Sequence, residues 1–407
     1  MFNSTRKSKW IKVAAATATL GSIAAIGFVG NSPAQADPKQ YGALVGYGSD
    51  TTQDVMNALS GFANGINFTP VQSQDATQTQ LVSWDAFPAG QCITTKVGAP
   101  TILRPNGSTN GARIISRAFG GGTWGNTACG QRDVSGIADY ARSSSGPAGV
   151  GTDLVYIPFG RDAISWAYSK PSGSPVTDLT AAQLSSLQVT GPQNIGGTVI
   201  IPCGIQSGSG TYATWNGMLG LAVTGTPDTG TAFCNTGIAA TPAVPDAGGR
   251  LQESNGPELK AKADALATTS NPICDGVVGG PAVSCANAQV IIGFAASGWV
   301  ARSNGVGFPA PGPGVGIGSI GGVAPTANAA PNLTPNSAFY ASSTFGRNVF
   351  NILPSETIND IGNVQIQSMF VGSTSSVCQA TSTIQQFGFQ SLGASCGSTT
   401  LTGPFRS

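Results

Sequence analysis

Ala43-Leu44-Val45-Gly46-Tyr47-Gly48-Ser49-Asp50-Thr51-Thr52-Gln53 carries an apolar run straight into a polar turn. The run to Gly48 reads as a strand, and Asp50-Thr51-Thr52-Gln53 has the form of a capping box opening a helix through Leu59. The pattern recurs. Thr101 to Leu103 leads through Pro105-Asn106-Gly107-Ser108 to a helix covering Ala112 to Ser116, and Val199 to Ile201 leads through Gln206-Ser207-Gly208-Ser209-Gly210 to a helix from Thr211 to Leu219. Strands alternating with helices in this way indicate an α/β fold of parallel strands and helical crossovers.

The rest of the chain fits that alternation. Val134 to Tyr140, Asp153 to Phe159, Ile164 to Tyr168 and Gln289 to Ala295 read as buried strands. Thr180 caps a helix through Leu187, and Pro257 to Ala267 forms another. Thr224 to Gly249 and Gly305 to Gly318 are loops, dense in Gly, Pro and Thr.

At the amino end, Arg6, Lys7, Lys9 and Lys12 precede an apolar run from Val13 to Val29 and the small-x-small site Ala34-Gln35-Ala36. This is the form of a signal peptide cleaved after Ala36, so the protein is expected to be secreted or held in the cell envelope. Removing those four cations takes the net charge from +1 to −3. A weakly acidic chain with 9% charged residues lacks the basic footprint of a nucleic-acid binder. About 370 mature residues exceed a single compact core and imply two lobes.

All eight cysteines lie beyond the cleavage site. In an exported chain an even count reads as disulfides. Neighbour pairing is the expectation: Cys92 with Cys129, Cys203 with Cys234, Cys274 with Cys285 and Cys378 with Cys396. Each bond then closes a short loop inside one lobe. Histidine is absent, which removes Ser-His-Asp and Cys-His nucleophile activation and the commonest zinc ligand. The chain is therefore read as a binding protein with neither a catalytic residue nor a metal or other cofactor, rather than as an enzyme.

Three Ser/Thr/Gly-rich turns each stand directly before a helix, where unpaired backbone N–H groups can meet an oxygen-rich ligand. In order, Gly48-Ser49-Asp50-Thr51-Thr52, Gly107-Ser108-Thr109-Asn110-Gly111, Gly136-Ile137-Ala138-Asp139 and Ser207-Gly208-Ser209-Gly210-Thr211 resemble the motifs of the phosphate-binding proteins of ABC uptake systems. Ile157-Pro158-Phe159 with Asp162-Ala163-Ile164, Leu179-Thr180-Ala181-Ala182-Gln183-Leu184 and Ile291-Ile292-Gly293-Phe294 are similar to further family segments. The resemblance implies a two-lobed type II periplasmic-binding fold with two hinge crossings. A small polar ligand would lie between the lobes, and an ABC permease is the partner implied for a monomeric protein. Carried over residue by residue, the ligand contacts would be Ser49, Asp50, Thr51, Ser108, Thr109, Asp139, Ser209, Gly210 and Thr211. The expected divisions are residues 1–36 as signal peptide, 37–157 as the first lobe, 158–311 as the second, and 312–407 as the return to the first.

Two departures from the family pattern weaken the case for phosphate. The family's R-x-D-G-S-G-T reads Ile205-Gln206-Ser207-Gly208-Ser209-Gly210-Thr211 here, so the clamping Arg and its Asp are both missing. Asp50 falls where the family has a neutral Thr or Ser; it either caps its own helix or faces the cleft. Alternative readings are an extracellular structural or interaction protein that keeps the fold, and a phosphoester hydrolase.

Overall fold

The computed structural model describes residues 37, 44–87, 90–221, 234, 250–276 and 281–407. The expected signal peptide and nearly all of the loop Thr224–Gly249 lie outside the described residues. The architecture is mixed α/β, built on one eleven-stranded sheet with helices packed against it.

One strand organises both halves. Leu154–Ser169 merges the two expected strands into a single run of 16 residues, nearly all of them buried. Its first part pairs antiparallel with Gly346–Pro354, from Leu154 opposite Pro354 to Ala163 opposite Gly346, with a register shift between Pro158 and Gly160. Its second part pairs antiparallel with Gln289–Ala295 and, on the other side, with Val315–Ile320. Beyond Gly346–Pro354 the sheet continues through Tyr140–Ser143, Leu44–Gly48 and Leu81–Ser83, the last three mutually parallel. Beyond Gln289–Ala295 it continues through Thr198–Pro202, parallel to its neighbour.

Each half has its own hydrophobic interior. Two clusters line the two faces of the first half's sheet, one around Met56, Leu81 and Phe370 and the other around Tyr47, Ile114 and Ile352. A third surrounds Trp166, Ile201, Trp215 and Phe294, and includes Ile320, Phe339 and Tyr340. Residues as late as Tyr340 therefore pack with the second lobe, and the chain re-enters the first through the strand beginning at Gly346. Helix Ala296–Ser303 touches both: Ala296 and Trp299 belong to the second-lobe core, Ala301 to the first.

Local chemistry explains the elements that sequence made visible. Thr180 and Gln183 form a reciprocal capping box on helix Ala181–Thr190. The strand expected over Val134–Tyr140 instead runs from Tyr140 to Ser143, and helix Gln53–Leu59 is capped by Thr52 without a side-chain bond. Disulfides join Cys92 to Cys129, Cys203 to Cys234, Cys274 to Cys285 and Cys378 to Cys396. Among the described residues no helix is long and apolar enough to cross a membrane.

The strand Val315–Ile320 lies close against the buried Trp166 and the partly buried Tyr168 of the long strand because Gly316 and Gly318 carry no side chain. A Cβ on Gly318 would lie inside the Trp166 indole, and one on Gly316 inside the Tyr168 ring. Gly318→Ala should therefore cost about 1–3 kcal/mol, the usual range for overpacking a tight core. Urea denaturation measures this, and an unchanged midpoint would mean the indole has room to move.

Candidate functional site

In open α/β sheets, ligand sites lie outside the carboxyl ends of parallel strands. Four segments leave such ends and meet at one point. Ser49–Thr51 follows Leu44–Gly48, and Ser144 follows Tyr140–Ser143. From the other lobe, Gln206–Thr211 lies beyond Thr198–Pro202, and Ser297 follows Gln289–Ala295.

Glycine allows the lobes to touch here. Gly107, at φ 86°, and Gly208, at φ 84°, meet backbone to backbone, so a Cβ on Gly107 would strike the Gly208 carbonyl. The Thr109 N–H donates to that carbonyl at 3.0 Å. A Cβ on Gly210 would run into the hydroxyls of Ser108 and Ser144, and the Ser144 N–H donates to Ser108 Oγ at 2.9 Å. The expected contact residues Ser49, Asp50, Thr51, Ser108, Thr109, Ser209, Gly210 and Thr211 are thus brought together at the junction of the lobes.

Asp139 is not brought to this point. It precedes Tyr140–Ser143, at the amino end of that strand, about 10 Å of extended chain before Arg142 at its carboxyl end. Its carboxylate accepts the Val45 N–H at 2.7 Å and pairs with Lys96 at 2.8 Å. Burial raises its pKa, with Lys96 opposing. The motif match placed it in the ligand set; the strand's direction places it outside.

Charged residues unforeseen from sequence dominate the junction. Arg347 pairs with Asp162 through Nε at 2.9 Å and Nη2 at 2.8 Å. It also donates to the Ser144 carbonyl at 3.0 Å, to Thr211 Oγ1 at 3.0 Å and to Thr51 Oγ1 at 3.4 Å. Glu253, almost fully buried, accepts from the Thr51 N–H at 2.9 Å and the Thr51 hydroxyl at 3.0 Å on one oxygen, and from the Ser209 hydroxyl on the other. Arg142, wholly buried, braces the first turn by donating to the Ser49 carbonyl at 3.2 Å and to the Trp84 carbonyl at 2.7 Å.

Asp50 does not cap its helix; it faces the junction. Arg302 Nη2 stands 3.9 Å from both Asp50 and Asp54. Asp50, Glu253, Arg302, Phe87, Phe308 and Pro309 line a cavity of about 10 Å³, about the space of one water. Burial pushes the Asp50 pKa up to about 7; Arg302 opposes this, and Glu253 and Asp54 add to it. Ile205, at the position of the family's missing arginine, lies inside the second-lobe core, where a guanidinium would be buried among apolar side chains. The cation that reaches Thr51 and Thr211 is instead Arg347, on a strand far along the chain.

Several buried polar atoms around the junction have no protein partner: the hydroxyls of Ser49, Thr52, Ser254 and Ser297, Gln206 Nε2 and Arg142 Nη2. Such atoms are costly unless something hydrogen-bonds them. Among the described residues no cluster of three or more His, Cys, Asp or Glu side chains could hold a metal.

Solved structures similar to this chain include phosphate-binding proteins, some of them from ABC transport systems. An ABC-type phosphate transport receptor from Vibrio cholerae matches at TM-score 0.43 and 13% identity, over 85% of this chain and 99% of its own. A candidate phosphate ABC transporter substrate-binding protein with bound phosphate from Clostridium perfringens matches at 0.42 and 13%, over 86% and 99%. A phosphate-binding protein from Stenotrophomonas maltophilia matches at 0.39 and 14%, over 87% and 91%. No family model matches the sequence, and no curated protein matches it.

The elevated Asp50 pKa has a consequence for stability. Between about pH 4 and about pH 7 the folded protein retains a proton that the unfolded chain has released, so stability falls as pH rises through that window. Burial pushes Asp85 and Glu258 up to about 7 as well, with the same sign. Denaturant melts should give a higher midpoint at about pH 5 than at about pH 8, and Asp50→Asn should shrink the difference. A variant with the wild-type pH dependence would show that Asp50 ionises normally.

Proposed function

We propose that this protein is an exported solute-binding protein that captures a small, oxygen-rich polar solute between its two lobes and presents it to an ABC permease. The observation that carries the reading is the convergence of hydroxyls and backbone N–H groups from both lobes on one buried point: Thr51 and Ser108 from one side, Ser209 and Thr211 from the other. Four disulfides suit an oxidising compartment. The ligand set under this reading is Ser49, Asp50, Thr51, Ser108, Thr109, Ser209, Gly210 and Thr211, with Arg347 and Glu253 added and Asp139 left out. Lobe opening would turn on the long strand near Ile157–Arg161, where its register shifts between Pro158 and Gly160.

A second reading, a surface protein that keeps the fold without transporting, draws support from Glu253. Its carboxylate already holds donors from both lobes. Free phosphate would meet that charge and, above about pH 7, the charge of Asp50 as well. One like-charge contact at 4 Å costs about 4 kcal/mol at an effective dielectric near 20, on the order of a thousandfold in affinity.

Calorimetry with neutral polyols and with oxyanions separates the two readings. Under the first, at least one solute binds, and Thr51→Val together with Ser209→Ala weakens it by at least about tenfold, or about 1.4 kcal/mol. Asp139→Asn leaves its affinity unchanged. Small-angle scattering should show compaction with that solute. If no polyol or oxyanion binds, the structural reading stands.

A further inference from the structure

Hydrogen accounting at the junction singles out Glu253. Thr51 has one hydroxyl proton, which goes to Glu253 at 3.0 Å, so the 3.1 Å contact between Thr51 and Thr211 must use the Thr211 proton. Arg347 donates to both threonine oxygens. A chain of donors therefore runs from the Arg347 guanidinium through two hydroxyls and ends on the Glu253 carboxylate, each link polarising the next. The Thr51 N–H and the Ser209 hydroxyl complete the set. A backbone N–H, two hydroxyls and a nearby guanidinium are the donors of an oxyanion site.

The chain holds the carboxylate in that position at a cost. Ser254 takes a left-handed φ of 59°, uncommon for a residue with a side chain. The Glu253 N–H donates to Gln206 Oε1 at 2.5 Å. Glu253 belongs to the second lobe, whereas Thr51 belongs to the first, so the same carboxylate also latches the lobes together.

We propose that Glu253 is a tethered occupant of an oxyanion site whose donors are Thr51 and Ser209, backed by Thr211 and Arg347, and that it sets the specificity of that site. The inference rests on reading the junction as a binding site. With Glu253 in place, an ionised phosphate or carboxylate finds its donors taken and a charge of its own sign beside it. A neutral, hydroxyl-bearing solute can instead donate to Glu253. With Glu253 replaced by a small neutral residue, the same donors become free for an oxyanion.

The test is binding of inorganic phosphate and of acetate to the wild-type protein, Glu253→Ala and Glu253→Gln, by calorimetry and thermal melting at constant ionic strength. Glu253→Ala should bind phosphate at least tenfold more tightly than wild type, and acetate should raise its melting temperature while leaving wild type unmoved. Glu253→Gln keeps the volume and the fold but loses the charge, and should fall between the two. If Glu253→Ala folds only with phosphate or acetate present, and not with chloride, that also supports the proposal. Wild type binding phosphate as tightly as the variants would overturn it. So would folded variants that bind no more tightly than wild type. Failure of every solute to bind wild type would sink the solute-binding reading but leave this comparison intact; a neutral solute on wild type with no gain in the variants would sink only the inference.

Discussion

The buried ion pair between Arg347 and Asp162 fixes where the two lobes meet. The residues stand directly opposite each other on neighbouring antiparallel strands, so sheet register sets their separation. Asp162 also accepts the Ser297 N–H at 3.0 Å at the start of helix Ala296–Ser303. Arg347 spends its remaining donors on Ser144 and Thr51 of the first lobe and Thr211 of the second. One pair thus anchors the long strand, a helix and both rims of the junction. Removing a single partner from such a pair costs about 3–5 kcal/mol, because the other charge is left buried and unanswered.

This constraint changes what the junction can do. An arginine already neutralised by its own carboxylate offers a ligand oriented donors but little net charge. Arg302 lies between Asp50 and Asp54 and is similarly committed. The junction is rich in hydrogen-bond donors yet carries no surplus of positive charge, which favours polar solutes over multiply ionised ones. Glycine backbones at positions 107, 208 and 210 bring the two rims close enough for Glu253 to span them.

Much of the fold was legible in local pattern. Leu44–Gly48 and Gln289–Ala295 are apolar runs bounded by turns, and Thr180 with Gln183 signals its helix start directly. The hydroxyl-bearing turns were legible for the same reason, since glycine and serine before a helix have a local meaning. The charges were not. Asp162 and Arg347 lie 185 residues apart, and Thr51 and Glu253 lie 202 apart, so no local spacing relates them. The available signal was chemical: Arg142 and Arg347 are the lone charged residues of largely buried strands, where a charge demands a buried partner. Asp139 illustrates the reverse. Its motif spacing matched, but spacing does not reveal which end of a strand faces the cleft.

The central claim, that the protein's own carboxylate fills the oxyanion position between the lobes, can be checked by direct observation. The measurement is a high-resolution crystal structure of the wild-type protein grown in phosphate. The account predicts the Glu253 carboxylate within hydrogen-bonding distance of the Thr51 N–H and the Ser209 hydroxyl, with no phosphate at that position. A phosphate ion bound to Thr51, Ser209 and Arg347, with the Glu253 side chain turned away, would contradict it.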